Sequence, residues 1–169
     1  MVPESLPEQC KALKLAHVPS LYPELEYHDR EQYLTALFKA ELEARQAGKI
    51  RRLIHRAGFL AHKTLEDFDW TPVTLPTSTT VTTLSTLAFL ERHENVLALG
   101  AIGTGKTLLA TALGLKACTA GKVVRFYRCL DLANTLLDSH RQGGLGKLMA
   151  DLEKVDLIII DVDCFIQKH

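Results

Sequence analysis

The sequence has little that would carry it into a membrane or an oxidising compartment. None of its 169 residues lies in an apolar run approaching the roughly 20 that a helix needs to cross a bilayer. Its start, MVPESLPEQC, holds prolines and acids where a secretory signal requires a basic and then an apolar region. The cysteines, Cys10, Cys118, Cys129 and Cys164, are widely spaced and form no CxxC pair, which argues against a zinc site or a disulfide framework. His17, His28, His93, His140 and His169 show no metal-ligand spacing, and no Ser or Cys stands with a His at a spacing that marks a nucleophile. An excess of charge is missing as well. The 20 basic side chains offset 20 acidic ones, so a nucleic-acid surface must be sought in local clustering. These absences predict a reduced, cytoplasmic protein with no membrane partner.

What is present reads as a globular chain, 47% hydrophobic and 24% charged. Residues 1–70 read as a helical N-terminal domain. Leu34, Leu37 and Phe38 recur at helical spacing, and so do Ile50, Leu53, Ile54 and Ala57. Gly48 lies between the two sets, leaving open two helices or one rod, and Gly58 is a natural stop. Residues 71–83, TPVTLPTSTTVTT, hold seven threonines and two prolines, a composition that disfavours helix and predicts an extended linker. Residues 84–169 alternate. A short helix is expected over Leu84 to Arg92, and a buried strand over Asn95 to Leu99. A Leu- and Ala-rich helix follows from Lys106 to Thr119, closed by Gly121. A strand at Val123 to Tyr127 comes next, then a helix from about Asp131 to His140. A second helix is marked by Leu145, Leu148, Met149 and Leu152, with Met149 expected in the core, before a strand at Asp156 to Asp161. Apolar strands separated by helices predict an α/β domain, a parallel sheet covered on both sides.

The most specific chemistry lies in GAIGTGKT, comprising Gly100, Ala101, Ile102, Gly103, Thr104, Gly105, Lys106 and Thr107. The pattern GxxxxGK[ST] lets the backbone curl so that successive N–H groups face phosphate oxygens. The helix that follows turns its positive N-terminal end on the same point. Lys106 is expected to reach the β- and γ-phosphates of ATP, and Thr107 to offer its hydroxyl to Mg²⁺. Asp161, closing an apolar strand 55 residues after Lys106, suits the opposite side of the magnesium shell. Hydrolysis needs a further group to orient the attacking water. The next residue is Val162, which cannot do so, and Asp163 falls on the other face of an extended strand.

Between Ala44 and Leu65 stand six Lys or Arg residues, joined by His55 and His62 and interrupted by no acid. On a helix, Lys49, Arg52 and Arg56 oppose the Ile50, Leu53, Ile54 stripe. Together with Arg51 they could neutralise DNA phosphates without reading sequence, although a solvated helix face has the same composition. Trp70 reads as a packing anchor at the domain junction.

These residues resemble the IstB-like ATP-binding proteins, AAA+ helpers of bacterial insertion sequences related to the DnaC helicase loaders. The resemblance rests on TLEDFDW at Thr64 to Trp70, FLERHENVLALGAIGTGKT at Phe89 to Thr107, LIIID ending at Asp161, and RRLIHRAGF at Arg51 to Phe59. It implies a P-loop NTPase (AAA+) sheet flanked by helices and preceded by a small helical domain. It also implies a helper that binds ATP, Mg²⁺ and DNA, assists a transposase, and self-associates when full-length. A DnaC-type loader and a non-catalytic nucleotide-binding remnant are the alternatives. In two respects the chain departs from the family. Asp161-Val162 stands where members usually carry Asp-Glu, and the sequence stops soon after, so an AAA+ sheet incomplete at its C-terminus is expected. Strand Asn95 to Leu99 would then lack both neighbours.

Overall fold

A computed structural model describes residues 5–26, 29–61, 63–66 and 68–162. The sequence readings at His28, His62, Asp163, Cys164 and His169 lie outside the described residues. The chain divides into two compact units, Met1–Arg51 and Arg52–His169.

The first unit is helical. Helices α1 (Leu6–Ala12) and α2 (Val18–Leu21) each carry a proline in the opening turn, where its missing N–H leaves no bond unmade. A 3-10 turn, Tyr22–Glu24, precedes α3 (Arg30–Ala57), which runs unbroken through Gly48 and so forms one rod. Leu37 joins Cys10 and Val18 in a small core, while Leu34 and Phe38 remain exposed. Glu41 is a buried carboxylate, only 2% exposed. It accepts the backbone N–H of His17 at 2.7 Å and the Nε of Arg45 at 2.6 Å. Arg45 also donates to the carbonyl of Lys14. Burial alone would raise the Glu41 pKa. The bonds from Arg45 and the His17 amide outweigh it and hold the carboxyl below its ordinary value.

The second unit begins with the end of α3, whose Leu53, Ile54 and Ala57 pack on its core. Phe59, Leu65, Phe68 and Trp70 follow onto the same core, and Phe68 meets Trp70 edge to face with ring centroids 4.8 Å apart. The 71–83 stretch also contributes Val73 and Leu75 to that packing. A reciprocal cap opens α4 (Val81–Ser85), with Thr83 N–H donating to the Thr80 hydroxyl and Thr80 N–H to that of Thr83. Leu87, at φ +61°, separates α4 from α5 (Ala88–Glu91), so the single helix expected over Leu84 to Arg92 is two.

Helix α6 (Lys106–Thr119) is the most buried element, with Leu109, Ala112, Leu113, Ala117 and Cys118 inside. Strand β1 (Val124–Arg128) passes through α7 (Cys129–Arg141) and α8 (Leu145–Leu152) to β2 (Leu157–Asp161). The strands are parallel, in register from Val124 opposite Leu157 to Arg128 opposite Asp161. Val124, Phe126 and Ile159 are buried. Gly114 is where α6 comes closest: a Cβ there would lie 2.6 Å from the Phe59 ring and 2.7 Å from Ile159 Cδ1. Among the described residues Cys10, Cys118 and Cys129 are free thiols, and burial pushes that of Cys118 up to about 11.

Three expectations need correction. Asn95 to Leu99 forms no strand, and Leu97 and Leu99 are 81% and 82% exposed, because no described strand lies beside them to share hydrogen bonds. The sheet is covered on one face only, since Ile158 and Ile160 are exposed. Met149 is also exposed, because α8 packs chiefly against α7 and buries no residue fully.

The buried carboxylate and the close helix crossing can each be tested by stability. Glu41→Gln should cost about 1–2 kcal/mol at neutral pH in denaturant melts, since it weakens two bonds to a buried group. A depressed folded pKa stabilises above the unfolded value of 4.5, so this gap should close as pH falls through that range. Gly114→Ala gains about 1 kcal/mol of helix propensity but overpacks by about 1–3 kcal/mol. A lower unfolding midpoint is expected, and a raised one would contradict the packing described.

Candidate nucleotide-binding site

The loop from Gly100 to Gly105 leads straight into the first turn of α6. Gly103 and Gly105 have φ of +81° and +87°, the left-handed region that side chains avoid. At Gly105 a Cβ would also touch the Phe68 ring at 3.4 Å, so backbone and packing both select glycine. The N–H groups of Ile102 to Thr107 make no hydrogen bond to any described residue. Unpaired donors at the start of a 14-residue helix form a concentrated positive field suited to phosphate oxygens. Ile102 is 85% exposed and contributes only its backbone to the loop.

Lys106 donates from Nζ to the carbonyl of Ala101 at 2.7 Å, and the Thr104 hydroxyl donates to the same carbonyl at 2.8 Å. The ammonium is thereby held over the loop, where a phosphate could take it from the carbonyl. Thr107 donates from Oγ1 to both carboxylate oxygens of Asp161, at 3.1 and 2.9 Å. Residues 54 apart thus meet because α6 starts where β2 ends. The pair supplies hydroxyl and carboxylate oxygens, the hard donors that Mg²⁺ prefers, and so fits that ion. Val162 follows Asp161, exposed and without a proton-accepting atom.

The structure adds a feature that sequence reasoning missed. A cavity of about 400 Å³ opens beside the loop, walled by Phe68, Val73, Leu75, Arg92, Leu97 and Lys106 among others. Residues 71–83, read from composition as linker, form one side of it. The available signal was the apolar Val73 and Leu75 among the threonines. Lys49, Arg51, Arg52 and Arg56 are not among the residues that line this cavity. Lys49 and Arg51 belong to the first unit and Arg52 and Arg56 to the second, all on α3 and all exposed. The Arg56 carbonyl accepts Nη1 of Arg125 at 3.0 Å. Among the described residues no helix is long and apolar enough to cross a membrane, and no group of three or more His, Cys, Asp or Glu is placed to hold a metal.

A glycine loop opening a helix beside a parallel sheet is the working part of the P-loop NTPases, and the second unit falls in that class. Comparison narrows the class. The family model of the IstB-like ATP-binding proteins matches residues 9–167, and the chain belongs to that family. It is 35% identical over 130 residues to the ATP-binding protein of insertion sequence IS5376 from Geobacillus stearothermophilus, covering 77% of this chain and 52% of that one. An insertion-sequence ATP-binding protein of Sinorhizobium fredii is 32% identical over 163 residues, 92% of this chain and 55% of its own length. That of insertion sequence IS21 from Pseudomonas aeruginosa is 35% identical over 150 residues, 86% and 56%. The chain spans about half the length of these relatives.

Proposed function

We propose that this chain is an ATP-binding helper of DNA transposition, which takes ATP with Mg²⁺ at the α6 loop and assists a transposase on DNA. The observation that carries the reading is the junction of Thr107 with Asp161 beneath a loop of unpaired amides. In this reading the amides of Ile102 to Thr107 and the Lys106 ammonium hold the phosphates. Thr107 and Asp161 hold the metal, and the cavity beside Phe68 receives the nucleoside. The nucleotide is handled by the 84–169 region, while the helical 1–70 region presents Lys49, Arg51, Arg52 and Arg56 to DNA phosphates. The relatives, all described as insertion-sequence ATP-binding proteins, favour transposition over helicase loading.

A non-catalytic form of the same protein is favoured by a separate observation. Val162 offers no acceptor for a water proton, and the segment entering the loop is unpaired and exposed. Binding without turnover is therefore the expected state of this chain.

Calorimetric titration with Mg·ATP and a phosphate-release assay on the same preparation should give heat of binding but no release above background. Lys106→Ala should weaken binding by one to two orders of magnitude, the worth of a charged hydrogen bond of about 1.5–3 kcal/mol. Asp161→Asn should weaken binding only when Mg²⁺ is present. Steady turnover would remove the non-catalytic reading, and unaltered affinity in Lys106→Ala would remove the site.

DNA binding should fall steeply with salt. Replacing Arg51, Arg52 and Arg56 with Ala should lower the slope of log affinity against log salt by up to about three units, roughly one for each phosphate no longer neutralised. A slope unchanged by the triple replacement would place the DNA surface elsewhere.

A further inference from the structure

Arg56 stands in the last turn of α3 and Arg52 one turn before it, both exposed and in no ion pair with any described residue. This is the wrong end of a helix for an anion. The closing carbonyls have no partner within the helix and give it a partial negative charge, and a last turn left in that state frays. β1 supplies what the helix lacks. The end of α3 lies against that strand, since a Cβ on Gly58 would sit 3.8 Å from the Phe126 carbonyl. Val124 and Phe126 are buried on one face of β1, which places Arg125 on the other. Its Nη1 nevertheless reaches the helix, donating to the Arg56 carbonyl at 3.0 Å as well as to the Val124 carbonyl at 3.2 Å. A guanidinium there brings both a hydrogen bond and a full positive charge to the negative end of the helix.

We propose that Arg125 is a positioning residue for DNA binding, which closes the last turn of α3 and holds Arg52 and Arg56 for phosphate while touching no phosphate itself. The role rests on the reading of α3 as the DNA surface, and it adds a condition to that reading. Basic side chains on a helix end bind an anion well only when the carbonyl charge beneath them is offset, and here a strand residue offsets it. That strand is β1, which pairs in register with β2, so the turn that carries Arg56 and the carboxylate of Asp161 are steadied by one sheet. The bond joins residues 69 apart, and neither local sequence announces it.

Affinity for a duplex of mixed sequence is measured against salt for the chain and for its Arg125→Met and Arg125→Lys forms. Each is also made in a background carrying Arg52→Ala with Arg56→Ala. Methionine keeps an apolar stem but has neither donor nor charge, so circular dichroism should show the fold retained. Arg125→Met should lower the slope of log affinity against log salt by more than one unit, toward the roughly two units that Arg52 and Arg56 represent. Lysine keeps a charged donor of similar reach, so Arg125→Lys should hold the slope to within about half a unit. In the doubly replaced background Arg125→Met should change the slope no further, because a residue that acts through Arg52 and Arg56 has nothing left to position. Without DNA present, amide exchange at 53–57 should quicken about tenfold or more in Arg125→Met and stay unchanged in Arg125→Lys. A further loss of about one unit in the doubly replaced background would show Arg125 meeting phosphate directly and overturn the positioning role. Lysine behaving as methionine, or exchange at 53–57 unchanged in Arg125→Met, would overturn it as well. So would a slope that falls with Arg52→Ala and Arg56→Ala but not with Arg125→Met, and this outcome leaves the DNA reading standing. A slope that neither replacement lowers would remove the DNA reading and the positioning role together.

Discussion

The meeting of Thr107 with Asp161 depends on how closely α6 can lie across the two strands. Gly114 has no side chain, and the Phe59 ring and Ile159 occupy the space that a Cβ would need. With the helix seated there, its first turn comes level with the carboxyl end of β2. A hydroxyl and a carboxylate 54 residues apart then fall within hydrogen-bond distance. The glycines of the loop work at shorter range. They turn the chain sharply enough for free amides, the helix terminus and the oxygen pair to share one small volume.

The same packing explains what is unfinished nearby. Burial of Val124, Phe126 and Ile159 satisfies one face of the sheet, while the backbone of 95–99 finds no acceptor among the described residues and is exposed. The loop is therefore well supported from the α6 and Phe68 side and unsupported from the side by which the chain enters it. On α3 the side chains of Lys49, Arg51, Arg52 and Arg56 stay solvated, in contrast to Arg45, whose guanidinium is committed to Glu41 and Lys14.

Much of this was legible in the order of residues. Helix α6 was readable to the residue, because a Gly-Lys-Thr start, a Leu- and Ala-rich body and a closing glycine are local signals with local causes. Strands β1 and β2 were found within one residue for the same reason: short apolar runs bounded by polar turns. Thr107 and Asp161 were expected on opposite sides of one magnesium shell; the structure joins their side chains by a hydrogen bond. Local signals failed where the outcome rested on a neighbour. Asn95 to Leu99 has strand composition, yet a strand exists only when another backbone lies beside it. Leu145 to Leu152 has a helical stripe, yet it packs chiefly against α7 and no residue of it is fully buried.

By itself, then, the sequence determined the glycine loop, the helices from α6 onward and the two strands, since propensity, capping and glycine freedom act over a few residues. Only the tertiary structure decided that Phe68 underpins Gly105, that a threonine-rich stretch walls a cavity, and that one apolar segment of the second unit remains unpaired. Those outcomes depend on which surfaces meet, and the meeting of distant parts of a chain is not written in any local window.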